Sequence, residues 1–313
     1  MTGELNPVPP RRTCGTMQVH YALLERHPEQ HERLAALEAA TSRRLAGGAA
    51  FRVAGPVRIQ VVVHVVYRQA VENISLAQIQ SQIDVLNRDY NLTNPDHVQT
   101  PPVWTNRVGD AGITFVLATA DPTGAATNGV TRTVTTKTSF SADTDDVKSA
   151  ATGGADPWPS DRYLNIWVCA LGGGLLGYAQ FPGMPAATDG VVILYSAFGT
   201  TGSVAAPYNL GRSATHEIGH WLNLRHIWGD TSDCSGTDFV ADTPTQQTPN
   251  YGAPHFPHVS CGNAPDGDMF MNYMDYVDDH VMVMFTQGQV ERMHATLDTE
   301  RASVAVPAAG VGG

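Results

Sequence analysis

The stretch HEIGHWLNLRH, His216 to His226, decides how the rest of the chain is read. His216 and His220 are about one helical turn apart, so on a helix they project from one face and can grip a single ion. Glu217 follows the first histidine directly and is placed to touch a water on that ion without being a ligand itself. His226 comes six residues after His220, and a continuing helix would carry it to another face. It reaches the same ion only if the helix stops near position 223 and the chain turns sharply there. Such a turn wants a left-handed residue, normally Gly. Asn is the next most tolerant residue, and Asn223 stands at that place. Two histidines around a glutamate can arise by chance on any helix. The third histidine at this offset, with a turn-competent residue between, makes zinc the expected ion. His216, His220 and His226 are its ligands, and Glu217 is the base that takes a proton from zinc-bound water.

The 313 residues allow one large domain or two modest ones, with ample core either way. Charged residues make up only 16% of the chain, which suits a loop-rich secreted protein better than a helical cytosolic one. The net charge of −11 gives no electrostatic help toward nucleic acid or an anionic membrane. Acidic residues gather at 230–242 and 275–279, where calcium or a cationic substrate is a candidate partner. No apolar run approaches the roughly 18 residues that span a bilayer. The opening MTGELNPVPPRRTCGT has no apolar signal-peptide core. Extracellular localisation is expected without a visible export signal. Four cysteines, Cys14, Cys169, Cys234 and Cys261, allow three pairings. Cys234 and Cys261 bracket a Gly/Pro/Asp-rich segment that a staple would suit, while Cys169 ends an apolar run and reads as a buried thiol.

Outward from the motif, periodicity predicts helices at 28–48, 75–91 and 285–297, and one within 209–224. Ser75 with Gln78 reads as a capping box, and Thr286 as an N-cap. RIQVVVHVVY at 58–67 is a strand buried on both faces, and 112–119, 163–169 and 191–195 are further strands. Residues 227–285 are mostly turn-forming, and 302–313 read as a frayed tail. No Gly-rich phosphate loop follows any strand; GGG at 172–174 reads as a flexible turn. The pattern is α+β: a mixed sheet with a site-bearing helix, then an irregular second half.

HEIGHWLNLRH resembles the metzincin zinc proteases, whose consensus has Gly where this chain has Asn223. NYMDY at 272–276 resembles their Met-turn. LNIWVC, GGLLGYAQFP, HEIGHWLNLRHIWGD, DTP and NYMDYVDD together resemble the pappalysin family, particularly its compact microbial branch, over about 58–297. The resemblance implies a two-lobed zinc endopeptidase with a twisted mixed sheet and an active-site helix above an irregular lower lobe. The upper lobe would span about 56–226 and the lower 227–300. Met274 would lie beneath the metal, and Tyr276 would donate to the oxygen that gains charge during hydrolysis. LLGYAQ, with Leu176, Gly177 and Tyr178, would be the edge strand that pairs with an extended peptide. Cys234 and Cys261 match a family disulfide; a second would need cysteines near Ala253 and Val281, both absent. The loop with Asp230, Asp238, Asp242 and Thr243 matches one that binds structural calcium in the family, and Asp238, Asp242 and Thr243 are the ligands expected here. His280 stands at the position expected to line the pocket for the residue after the cut, where basic-specific relatives carry an acid; Asp278 and Asp279 are adjacent.

RRTCGT at 11–16 resembles the cysteine-switch pro-segments of metzincins. Cys14 would then hold the zinc position meant for water, residues 1–55 would be a latency segment, and activation would fall near 50–55, with Phe51–Arg52 a candidate cut. A free thiol and a Cys14–Cys169 bridge are the other readings. The expected partners are peptides or proteins acting with a monomer, not nucleic acid or membrane. A zinc hydrolase of a non-peptide amide or ester, and a non-catalytic binding protein on the same scaffold, are the alternatives.

Overall fold

The computed structural model describes residues 8–47 and 56–307. The expected activation site at 50–55 and the end of the tail from 308 lie outside the described residues. β1 (Val57–Tyr67) is the axis of the molecule. Its β-branched run is buried almost throughout because it pairs along both edges. Its start pairs with β2 (Ile113–Leu117), its end with β3 (Val130–Val134), and its middle with β4 (Leu164–Cys169), all parallel. β4 pairs in parallel with β6 (Val191–Leu194), and the short β5 (Gly177–Ala179) runs antiparallel to β6 at the edge of the order β2-β1-β4-β6-β5.

α3 (Leu76–Asp89) lies against this sheet. Ser75 caps it by accepting from the Gln78 N–H at 3.1 Å. The expected capping box is only half made, because the Gln78 side chain donates instead to the Tyr195 and Phe198 carbonyls. The full box forms at α5 (Gln287–Leu297), between Thr286 and Gln289. α4 (Arg212–Trp221) is buried at every position. Residues 227–285 follow as turns, with one small parallel pair, β7 (Tyr251–Gly252) and β8 (Tyr276–Val277). Cys234 and Cys261 form the expected disulfide; Cys14 and Cys169 are free thiols, Cys169 fully buried. The fold is mixed α+β with a twisted mixed sheet.

Two expectations need correction. The tail does not fray from 302: β9 (Val306–Pro307) pairs with Arg58 and Val57. Just before it, Arg301 is buried, paired with Asp189 at 2.7 and 2.8 Å and stacked over Trp221. The N-terminal segment holds two helices, not one: α1 (Thr16–Arg26) precedes α2 (Gln30–Ala46). α1 buries Val19, His20, Leu23 and Leu24. α2 packs on α5, with Glu38 bound to Arg292.

Candidate active site

The metal-ligand geometry follows from where α4 stops. After Trp221 the N–H of Asn223 donates to His220 O at 2.8 Å, and that of Leu224 to Gly219 O at 2.9 Å. Asn223 has φ +74°, the left-handed conformation its position demanded. The chain folds back and brings His226 Nε2 to 3.0 Å from His220 Nε2, which lies 3.2 Å from His216 Nε2. Each Nδ1 meets a pure acceptor: Tyr273 O at 2.7 Å, Leu224 O at 2.8 Å, and the Asp230 carboxylate at 2.5 Å. The Nδ1 atoms therefore donate, and burial holds His216 and His220 well below the ordinary imidazole range, so both rings are neutral. The Nε2 atoms of His216, His220 and His226 are left facing one another at a buried point. That arrangement is favourable only around a cation, and the donor set suits zinc. Cys14 Sγ completes it: the four ligand atoms lie within 4.8 Å of one another.

Met274 is fully buried and packs against Gly219 of α4. A Cβ at Gly219 would meet its Sδ at 2.5 Å, so only Gly allows the contact. Trp228 stacks on His226 at 4.3 Å. The Tyr276 ring lies 5.0 Å from that of His226, and its hydroxyl accepts from the Cys14 N–H at 3.3 Å. Burial pushes this phenol well up, so it keeps its proton. Glu217 Oε2 accepts from Thr16 Oγ1 at 2.9 Å and lies 3.2 Å from Cys14 Sγ. Burial raises its carboxyl to about 7.

The N-terminal segment lies along β5 as an added parallel strand. Leu176 N–H donates to Thr13 O at 3.0 Å, Gly15 N–H to Gly177 O at 2.9 Å, and Ala179 N–H to Thr16 Oγ1 at 2.8 Å. Gly15 fits between Ala142, Leu175 and Tyr178, where a Cβ would come within 3.1–3.3 Å of each. Arg12 is buried, with Nη2 2.5 Å from Asp279 Oδ1, Nη1 on Ser213, Nε on the Val277 carbonyl, and its plane over Tyr208.

Several expected residues lie elsewhere. His280 is exposed; its neighbour Asp279 is the buried acid that receives Arg12. The Tyr178 side chain is buried and donates to Asp145 at 2.9 Å, so it anchors the sheet and does not line the cleft. Asp230 orients His226 through its Oδ1. Asp242 caps α5 through Thr286 and Gly288, while Asp238 holds Thr243 and the Val240 N–H. Among the described residues, the one gathered group of His, Cys, Asp or Glu is the Cys14 cluster. Sequence reasoning missed Arg12, Thr16 and Asp279 as site residues. RR before Cys14 was a signal for the first; nothing local marked Thr16.

Comparison with known proteins fixes the lineage. The family model described as Pregnancy-associated plasma protein-A matches residues 148–298, from the approach to β4 to the end of α5. Extracellular metalloprotease 1 of Coccidioides posadasii is 32% identical over 298 residues, covering 90% of this chain and 88% of that protein. The chain belongs to the pappalysin family. An extracellular metalloprotease of Colletotrichum graminicola agrees at 33% identity over 308 residues, covering 94% of this chain and 92% of its own. Among solved structures, a Tannerella forsythia promirolysin mutant matches this pappalysin with TM-score 0.86 and 48% identity, over 94% of this chain and 97% of that one. Mature mirolysin in complex with a cleaved peptide matches with TM-score 0.79 and 52% identity, over 81% and 97%. This pappalysin is therefore a metalloendopeptidase with a catalytic metal and peptide or protein substrates. The non-peptide hydrolase and binding-protein readings are not favoured.

Proposed function

We propose that the catalytic metal is zinc, that residues 1–55 are the latency segment, and that Cys14 keeps the enzyme inactive by sitting against the three histidines. The observation that carries this is the convergence of three imidazole Nε2 atoms and one thiol on a single buried point. Zinc held there would supply Lewis acidity toward a carbonyl oxygen and toward water. His216, His220 and His226 hold it. Glu217, released from Thr16 and Cys14, takes a proton at Oε2 and returns it to the leaving amine. Tyr276 donates its hydroxyl hydrogen to the carbonyl oxygen as charge develops there. The Leu176 N–H and Gly177 carbonyl, engaged by Thr13 and Gly15, become the rail for the substrate main chain.

Arg12 against Asp279 supports a preference for a basic substrate side chain beside the cut. The expectation attached to His280 moves to Asp279. A structural calcium ion held by Asp238, Asp242 and Thr243 remains a proposal; Asp238 already meets Thr243, while Asp242 also meets Thr286. The relatives' names support release outside the cell. Among the described residues, no helix is long and apolar enough to cross a membrane.

The test is intact mass against time for the purified chain with zinc and calcium, beside Glu217→Ala. Loss of a fragment ending within 48–58 from the wild type alone is expected. If a chain shortened to begin at 56 binds zinc and still leaves casein intact, the reading is wrong.

A further inference from the structure

Two consecutive arginines of the N-terminal segment meet two different receptors. Arg12 enters the buried pocket of Asp279 and Tyr208. Arg11, one residue farther from Cys14, places its guanidinium 5.0 Å from the ring centroid of Tyr251. Tyr251 remains 38% exposed even so, on a chain that otherwise buries most of its aromatic rings. Its position is set by the backbone: β7 pairs with β8 in the register Tyr251↔Tyr276 and Gly252↔Val277. Tyr276 faces the metal site, and the Val277 carbonyl receives Arg12. The Asp278 N–H ties back to Gly252 O at 2.9 Å, which locks this corner. A Cβ built at Gly252 meets nothing within 4 Å, so the surface beside the ring is open to a ligand.

We propose that Tyr251 is a specificity-determining residue, an aromatic platform for a second substrate cation. Favoured substrates carry two consecutive basic residues, the inner one held by Asp279 and the outer one lying on Tyr251. This rests on the peptidase reading and on Asp279 as the inner pocket. An exposed cation–π contact supports a preference of about two- to five-fold.

The experiment uses self-processed enzyme and a peptide series with the inner position fixed as Arg. The outer position is Arg, Lys, norleucine or Glu, and product masses fix which bond is cut. The expected kcat/KM order is Arg and Lys above norleucine, with Glu lowest. Tyr251→Phe keeps the Lys-to-norleucine ratio, because the ring and not the hydroxyl attracts the cation. Tyr251→Ala brings it to about one, while Asp278→Asn leaves it above one. Equal rates for Lys and norleucine in the wild type, or a preference that survives Tyr251→Ala, overturns the inference. A series with Gln at the inner position separates the two layers: if inner Arg and Gln are cut alike, the Asp279 pocket itself is wrong. No cleavage of any peptide would count against the peptidase reading instead.

Discussion

Asn223 is where one residue's conformation determines the chemistry. Its left-handed φ returns the chain toward the metal point, and Arg292 Nε holds its carbonyl at 2.7 Å. The side-chain Nδ2 is buried without a protein partner, so the turn uses the backbone and not the amide. Asn223→Gly should keep both the fold and zinc affinity. Asn223→Ala should lose about 1–2 kcal/mol, the penalty for a Cβ in this region. Thermal unfolding with a zinc competition titration checks both, and an alanine variant as stable as wild type would contradict the turn argument. Tyr276→Phe is the second residue-scale case. The ring still packs on His226 and Trp228, but no hydroxyl is left to meet developing charge. In processed enzyme kcat should fall about 10²-fold with KM little changed; a fall confined to KM would make Tyr276 a binding residue. At this scale the sequence was readable where the rule is local. Histidines at fixed helical offsets and one turn residue pointed to the side chains that the structure gathers. Asp279 against His280 was not readable, because which residue turns inward after the Met-turn depends on the pairing of β8 with β7, 25 residues back.

Elements were legible in proportion to their periodicity. β1 reads as a buried strand because nothing but tertiary pairing could satisfy such an apolar run. α1 was overlooked because TMQVHYALLER mixes β-branched and aromatic residues with polar ones, and its buried face shows only once it meets the body. That docking has a pH dependence. His20 on α1 is buried against Phe181, near Arg225 and His31, with Tyr21 beside it. Burial, then the Arg225 guanidinium and the neighbouring His31, lower its pKa to about 4, with Asp230 pulling the other way. In a detached segment His20 titrates near its ordinary 6.5, so the detached form takes the proton first. The stabilisation of docked α1 by neutral His20 is complete above pH 6.5 and declines as pH falls toward 4. Amide exchange over 16–26 in the Glu217→Ala chain should therefore accelerate between pH 7.5 and 5, after correction for intrinsic rates. His20→Gln should flatten the change; an unaltered pH profile in that variant would show that another group titrates.

At the scale of the whole molecule, the N-terminal segment ties together parts that are far apart in sequence. Arg12 reaches the lower part through Val277 and Asp279, and α4 through Ser213. Cys14 and Thr16 occupy the metal site and the edge of the sheet. Glu38 on α2 gives both carboxylate oxygens to Arg292, whose Nε holds the Asn223 turn. None of this bracing was legible from the sequence, because RRTCGT names the thiol but not what surrounds it, and Glu38 looks like any solvent-facing helix residue. Cys14 and Glu38 share one chain, so releasing either leaves the other to hold it nearby at high effective concentration. Losing Cys14 alone should therefore not open the enzyme outright. Removing the Glu38 carboxylate takes the charged partner from the buried Arg292 guanidinium; because Glu38 itself is partly exposed, the penalty is about 1.5–3 kcal/mol, that of a lost charged hydrogen bond. Cys14→Ser and Glu38→Ala should each speed the loss of residues 1–55 in zinc-containing buffer, followed by intact mass. The double variant should convert faster than either, with its rate gain close to the product of the two single gains. If Cys14→Ser alone is already as fast as the double variant, α2 contributes nothing to latency and its contact with Arg292 serves the fold alone.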